Sequence, residues 1–303
     1  MNAEFTPGPD VGPNEPKTGS RWGQERRLEF IDFRLQWDGR LNRSALTDFF
    51  GISVPQASAD IARYQDLRPG NMEYDRSQKA YLRRDKFLPA FPVSHPSRFL
   101  NELLATAVGI LPRDATFIGW WPSVAVAAMP SRELNVDVLS ALLRAIRRGL
   151  GLRVNYQSMS RTEPTNRIIT PHALAFDGFR WHVRAYCHVR NQFLDFVIAR
   201  ILRIEGDESA GPGPDQDEEW WTSVTLEIAP NPGLNLARRR VVELDYGMRD
   251  GRLELTCKQA LLFYSLKQLG LDANGPTKPE EQQIVLLNRG DVEAYVRRRV
   301  SES

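Results

Sequence analysis

The run NRSALTDFFGISVPQASADIARYQDL, residues 42–67, decides how the first part of this chain folds. NRSALTDFF has the pattern of a short helix, and Gly51 follows it directly, where a helix end favours a left-handed residue. Ser53 then stands where its hydroxyl can cap a second helix, VPQASADIARYQDL, with Pro55 in the first turn. Ala57, Ile61 and Tyr64 fall at i, i+4 and i+7, so one face packs inward and Pro55, Gln56, Ser58, Ala59 and Arg63 are left outward. Two short helices about a glycine turn, the second with a small polar outer face, make a helix-turn-helix pattern.

Upstream, RRLEFIDFRLQW (26–37) sets Leu28, Ile31 and Leu35 at helical spacing, with Phe30, Phe33 and Trp37 widening the apolar stripe. Downstream, Pro69-Gly70 ends the helix, and NMEYDRSQKAYLRR reads as two strands about the turn Arg76-Ser77-Gln78, with Met72 and Tyr74 facing Ala80 and Leu82. Such a hairpin is a wing. Arg76, Lys79, Arg83, Arg84 and Lys86 cluster there, and phosphate contacts need a local cationic excess of this kind. The candidate DNA contacts are Arg43, Ser53, Pro55, Gln56, Ser58 and Arg63 from the helices, with Arg76 and Lys79 from the wing. The same residues also suit a structural three-helix domain with a solvated basic hairpin.

Across 303 residues, 42% hydrophobic and 26% charged content suits a globular chain of two or three domains. A net charge of +2 does not by itself mark a nucleic-acid binder, which is recognised by clustered basic surface. No stretch approaches the roughly 18 apolar residues of a membrane span, and the start of the chain has no signal-like pattern. Cys187 and Cys257 are too few for a disulfide framework, so a cytoplasmic chain is expected. Pro7, Pro9, Pro13 and Pro16 mark residues 1–20 as a disordered tail, and EGDESAGPGPDQDEE (205–219) as composition reads as an exposed acidic linker or long loop. The expected divisions are the tail, a winged helix-turn-helix domain at 21–95, a helical linker region at 96–134, a β-domain at 135–210 and an α+β domain at 211–303.

A capped helix from Asn135, VDVLSALLRAIRRG, leads into four strand-like runs that predict a small, strongly bent sheet or barrel. In GFRWHVRAYCHVR, alternation sends Trp181, Val183, Ala185 and Cys187 one way and His182, Arg184, Tyr186 and His188 the other. In FLDFVIARILRI, Arg200 shares a side with Phe196, Ile198 and Leu202, where a cation needs a partner. With His172 in the second run and Tyr156, Ser158 and Ser160 in the first, these residues suit a pocket for an anion or a nucleotide. They suit equally a sheet whose polar face is simply half exposed.

YQSMS (156–160), TPHAL (170–174), DGFRWHVRAYCH (177–188) and FVIARI (196–201), in that order behind a winged helix-turn-helix, resemble the WYL-domain transcriptional regulators. The similarity is greatest to the WYL repressors found beside bacterial anti-phage defence operons. Of the naming tripeptide only the Trp is retained, as Trp181-His182-Val183. The resemblance implies an α+β multidomain fold: an N-terminal winged helix-turn-helix, a central Sm-like/SH3-like β-barrel and a C-terminal α+β dimerisation domain. It further implies a homodimer on a palindromic double-stranded operator, repressing a defence operon and its own promoter. A nucleotide or single-stranded nucleic acid would be the regulatory ligand, held by Tyr156, Ser158, Ser160, His172, Trp181, Arg184, Tyr186 and Arg200.

The C-terminal stretch alternates strand and helix patterns: WWTSVTLEIAP, NLARRRVVELDY, GRLELTC, KQALLFYSLKQLG and QQIVLLN. It contains no phosphate loop, paired histidines or activated nucleophile. Arg238–Arg240 and Arg297–Arg299 read as solvated basic runs. With four histidines in the chain, and Cys187 and His182 on opposite sides of one strand, a hydrolase or a metal site is poorly supported, and no cofactor is expected. The alternative to operator binding is an adaptor that holds single-stranded nucleic acid on the barrel itself.

Overall fold

The computed structural model describes residues 18–91, 95–128, 130, 133–272 and 278–300, with side chains from 22 to 296 within those ranges. Residues 1–17 of the expected tail, and the side chains of Arg297–Arg299, lie outside the described residues. The chain divides between residues 129 and 130 into two units.

The first unit is built from α1 (Thr18–Asp38), β1 (Arg40–Leu41), α2 (Arg43–Phe50), α3 (Val54–Leu67), β2 (Met72–Asp75), β3 (Ala80–Arg83) and α4 (Pro96–Ala107). The helix expected from Arg26 therefore begins eight residues earlier. Asn42 caps α2 by accepting from the Ala45 N–H at 2.8 Å, and Gly51 closes it in the left-handed region at φ 64°. Ser53 caps α3, accepting from the Gln56 N–H at 3.3 Å. Phe30, Ile31, Phe33 and Leu35 of α1 meet Leu46, Ala57, Ile61 and Tyr64 in one core.

Two findings alter the expected picture of this unit. The wing turn is four residues long, Arg76–Lys79, because Lys79 takes a left-handed conformation at φ 49°. The extra residue slips the register by one, so Tyr74 lies opposite Tyr81 and Asp75 opposite Ala80. The stretch 96–134, expected as a linker region, also supplies Leu103, Phe117 and Ile118 to the same core, with Phe99 packed against it. Phe117 makes edge-on ring contacts with Phe30 at 5.2 Å and Phe49 at 5.4 Å.

The second unit begins with α5 (Val136–Arg148), β4 (Gly151–Tyr156), β5 (Thr165–Phe176), β6 (Trp181–Cys187), β7 (Gln192–Val197) and β8 (Ile201–Glu208). The five strands are antiparallel in the order β7-β6-β5-β4-β8. Val138, Leu142 and Ala145 of α5 pack on Leu152, Val154, Ile169, Val183, Ala185 and Cys187, the apolar face that alternation predicts. The fourth expected run is not one strand. A 3₁₀ turn at Ile198–Arg200 separates β7 from β8, so simple alternation does not carry through Arg200.

The chain then passes through α6 (Glu218–Trp221) into β9 (Ser223–Pro230), α7 (Leu236–Asp245), β10 (Leu253–Lys258), α8 (Leu262–Gln268), β11 (Ile284–Leu286) and α9 (Arg289–Val300). β9 is central in the order β10-β9-β11. Leu226, Ile228, Val242, Leu262, Leu266 and Val292 share the core of this α+β layer.

Phe117→Ala is expected to destabilise the first unit by about 3–5 kcal/mol, the range for an aromatic truncated in a packed core. Ile110→Ala, at a position 79% exposed in the same stretch, is expected to stay within about 0.5 kcal/mol. Urea melts of the two variants check this, and equal effects would mean that the stretch is a linker after all.

Candidate functional site

On the helix-turn-helix, α3 turns Ala57, Ile61 and Tyr64 into the core and leaves Pro55, Gln56, Ala59 and Arg63 exposed. Arg43, at the start of α2, is exposed as well. Ser53 serves as a cap, and the half-buried Ser58 donates its hydroxyl to the Val54 carbonyl at 2.9 Å. The Gln56 amide donates to Asp60 at 3.1 Å. Asp60 has no exposed surface and also takes the Arg27 guanidinium at 2.6 Å, so α3 is tied to α1 through a carboxylate shared with an outward-facing side chain.

Below α3, the buried Asp32 accepts from the Tyr64 hydroxyl at 2.5 Å and from the Ala90 N–H at 2.9 Å. Burial, followed by this bond, pushes the Tyr64 phenol well above its ordinary range. Asn71 donates to Tyr64 at 2.9 Å and to the Leu88 carbonyl at 2.8 Å, which anchors both ends of the wing to α3. In the wing turn, Asp75 accepts from the Ser77 N–H at 2.7 Å and the Gln78 N–H at 3.0 Å, and Arg76 and Lys79 stand exposed beside it. Arg83 donates to the Gln36 carbonyl at 3.1 Å, and Arg84 lies 3.7 Å from Glu73. Two of the five wing cations therefore have partners within the unit.

The polar face of β6 is present as alternation predicts, but it is covered. Arg184 has no exposed surface. Its guanidinium donates to Asp217 at 2.7 and 2.8 Å, to Glu219 at 2.8 Å and to Asp195 at 3.2 Å. His172 donates to the same Asp217 at 2.8 Å, its ring edge-on to Phe193 and Trp220. Asp217 belongs to the acidic stretch expected as an exposed linker or long loop, and that expectation fails at both ends: residues 205–208 complete β8 and Asp217 is 1% exposed. The stretch returns across the sheet because buried Arg184 needs carboxylates. Along the way the Gly211 N–H donates to Thr170 at 2.8 Å, at a point where a Cβ would stand 2.9 Å from the Tyr186 ring and from His188.

The electrostatics agree with the geometry. Burial alone would push Arg184 down, but the Asp217 bonds with Asp195 and Glu219 hold it above its ordinary value. Burial would raise Asp217, but the Arg184 and His172 bonds hold it down, to about 2.

The expected ligand residues do not form one pocket. Arg184 borders a cavity of about 350 Å³ whose rim carries Asp195, Asp217, Glu218 and Glu219. Tyr156 and Arg200 border a larger one of about 560 Å³, together with Arg180, His182, Phe263 and Lys267. Trp181 packs on Phe176 at 5.0 Å and borders a third cavity of about 130 Å³. Tyr186 packs edge-on to His188 and Phe193, and Ser158 and Ser160 bond one another at 3.3 Å near the surface. Among the described residues, no cluster of three or more His, Cys, Asp or Glu is arranged to hold a metal ion, and no helix is long and apolar enough to cross a membrane.

Comparison with known proteins gives three family matches in chain order. Residues 23–105 match the BrxR transcriptional regulator winged helix-turn-helix domain, 137–205 the WYL domain, and 223–292 the BrxR transcriptional regulator C-terminal dimerization domain. The DNA-binding transcriptional repressor CapW of Stenotrophomonas maltophilia is 48% identical over 279 residues, covering 91% of this chain and 93% of its own. The CapW repressor of Escherichia coli (strain KTE188) is 43% identical over 301 residues, covering 98% and 100%. The chain belongs to the CapW family of WYL-domain transcriptional regulators. A CapW repressor of Pseudomonas aeruginosa is likewise 43% identical over 297 residues, covering 98% and 99%. The solved PafBC of Arthrobacter aurescens matches at 16% identity with a TM-score of 0.23, and the chain spans about half of its length (51%).

Within this CapW-family chain, sequence reasoning missed Arg180, Phe263 and Lys267 as cavity residues. Arg180 was legible, since it sits in the Asp177-Gly178 turn beside the polar strand. Phe263 and Lys267 were not, because only the tertiary fold brings α8 against the sheet.

Arg184→Met is expected to destabilise the second unit by about 3–5 kcal/mol near neutral pH, because it leaves buried carboxylates without their cation. The depressed Asp217 value lies below its unfolded one, so its contribution, about 2 kcal/mol, is present above about pH 4 and lost as pH falls toward 2. The gap between wild type and Arg184→Met should therefore shrink in urea melts at about pH 3. A gap that is the same at both pH values would argue against the Arg184–Asp217 ion pair as the source of the stability.

Proposed function

We propose that this chain is a cytoplasmic, homodimeric, operator-binding repressor whose hold on DNA is set by a ligand at the WYL domain. The observation that carries the proposal is α3, which buries one face and presents Gln56 and Arg63 beside the exposed wing cations Arg76 and Lys79. An outward helix of this kind enters the major groove, and the wing cations meet phosphate. Gln56 reads bases, Arg63 meets bases or phosphate, and Ser53 and Pro55 fix where the helix starts. The names of the CapW relatives, DNA-binding transcriptional repressors, support the same activity here.

The C-terminal match to a dimerization domain supports a homodimer, which suits a palindromic operator. Control of a phage-defence operon and of the chain's own promoter follows from the family resemblance. No enzymatic activity is proposed. The ligand is a nucleotide or single-stranded nucleic acid, and Tyr156 and Arg200 at the larger cavity are its first contacts. Of the other expected contacts, His172 and Arg184 support the fold under the acidic stretch.

A gel-shift titration on duplex from immediately upstream of the chain's own gene, against a shuffled duplex, tests operator binding. Gln56→Ala with Arg63→Ala should remove the preference for the true duplex, a loss of about 1–3 kcal/mol of discrimination per base-reading side chain. Arg76→Ala and Lys79→Ala should weaken both duplexes alike and reduce the salt slope by about one each. Equal, salt-sensitive binding of both duplexes by the wild type would overturn sequence-specific recognition and leave the barrel as the main nucleic-acid surface.

A further inference from the structure

We infer that the 560 Å³ cavity is a nucleotide site shared between the WYL barrel and the C-terminal domain, with Phe263 and Lys267 of α8 as ligand contacts. This deepens the ligand control proposed above and rests on it. The volume lies in the range of small-ligand sites, about 300–1,000 Å³.

Charge is the first indication. Arg180 reaches the cavity from the turn before β6, Arg200 from the 3₁₀ turn before β8, and Lys267 from α8. None of the three is ion-paired among the described residues. The two carboxylates on the cavity wall are already engaged. Asp177 accepts from His182 at 2.9 Å and from the Phe179 N–H at 2.7 Å, while Asp195 takes Arg184 at 3.2 Å and the Tyr264 hydroxyl at 3.2 Å. Three cations and two carboxylates border the cavity, and Asp195 is already shared with Arg184, so positive charge is in excess there and an anion among the cations relieves their mutual repulsion. The Arg184 cluster is the reverse, with three carboxylates around one guanidinium, and an incoming phosphate would be repelled there.

The walls supply the second indication. Tyr156, Phe179, Phe263 and Tyr264 all border the cavity, and aromatic faces beside cations are what a base and its phosphate require. His182 borders it too, 4% exposed; its Nε2 donates to Asp177, which leaves Nδ1 buried without a hydrogen-bond partner.

The two walls are in close contact. Gly178 sits at φ 84°, and a Cβ there would stand 2.7 Å from the Gln268 side chain of α8. The barrel turn and α8 therefore form one boundary. The recognised unit is a nucleoside phosphate, whose source is either a free nucleotide or the end of a single strand.

Calorimetric titration of the full-length chain with AMP, a 5′-phosphorylated single-stranded oligonucleotide, adenosine and inorganic phosphate decides the matter. The expected result is that AMP or the oligonucleotide binds at least about tenfold tighter than adenosine or phosphate, and which of the two binds identifies the source. Lys267→Gln and Phe263→Ala, both at exposed positions, should each weaken that binding about tenfold, with melting temperatures near the wild-type value. If Arg200→Ala weakens binding and the α8 variants do not, the α8 contacts are overturned and a barrel-only ligand site stands. If no probe binds the wild type, or if Arg200→Ala has no effect either, both the shared site and the ligand site are overturned. Phosphate binding as tightly as AMP would overturn the base contacts.

Discussion

Removing a guanidinium from water costs several kcal/mol unless charge and hydrogen bonds replace the lost hydration, and Arg184 sits where no surface is exposed. The second unit is arranged around that requirement. Asp195 comes from the neighbouring strand and Asp217 and Glu219 from a segment more than thirty residues away, so the guanidinium draws in chain that β pairing alone would not place. Asp217 also caps α6 and takes His172, which fixes where β9 starts relative to the barrel. Loss of the cation would therefore release the segment joining the barrel to the C-terminal layer as well as one ion pair.

Charge compensation also sorts cations that sequence alone treats alike. Arg184 and Arg200 both fall on strand-like runs next to apolar residues, and both invite the same expectation of an anionic ligand. Arg184 is matched by three carboxylates of its own chain, whereas Arg200 has no ion pair among the described residues and shares its cavity with Arg180 and Lys267 against Asp177 and an Asp195 already taken by Arg184. A cation whose neighbours over-neutralise it supports the fold. One held among like charges is kept at an electrostatic cost, and such a cost is found where a ligand removes it.

Much of the fold was legible because it rests on local rules. Gly51, Ser53 and the Ala57-Ile61-Tyr64 spacing place the turn and both faces of α3, and alternation places Val183, Ala185 and Cys187 in the barrel core. What stayed hidden depended on single backbone angles or on distant chain. Lys79 at φ 49° adds one residue to the wing turn and changes every pairing in it. The turn at Ile198–Arg200 breaks a run that looks like an uninterrupted strand. The acidic composition of residues 205–219 reads as a solvated loop, but it cannot show that residues 205–208 complete β8 or that Asp217 meets a buried cation. The family resemblance supplied the order of domains, yet the contribution of α8 to the larger cavity comes from tertiary packing alone.

That contribution bears on how a ligand could control DNA binding at all. A ligand shifts an equilibrium only by the ratio of its affinities for the two states, so contacts present in both states change nothing. Residues of the barrel alone would contact a ligand equally in any arrangement of the C-terminal layer. Phe263 and Lys267 would not, because they stand on that layer, the region matching a dimerization domain. If each contributes about tenfold and only in one arrangement, the combined ratio is about a hundredfold, enough to move a two-state mixture from about 1:9 to about 9:1. A change of that size alters the occupancy of an operator without either state being absent beforehand, and it requires no contact between ligand and DNA.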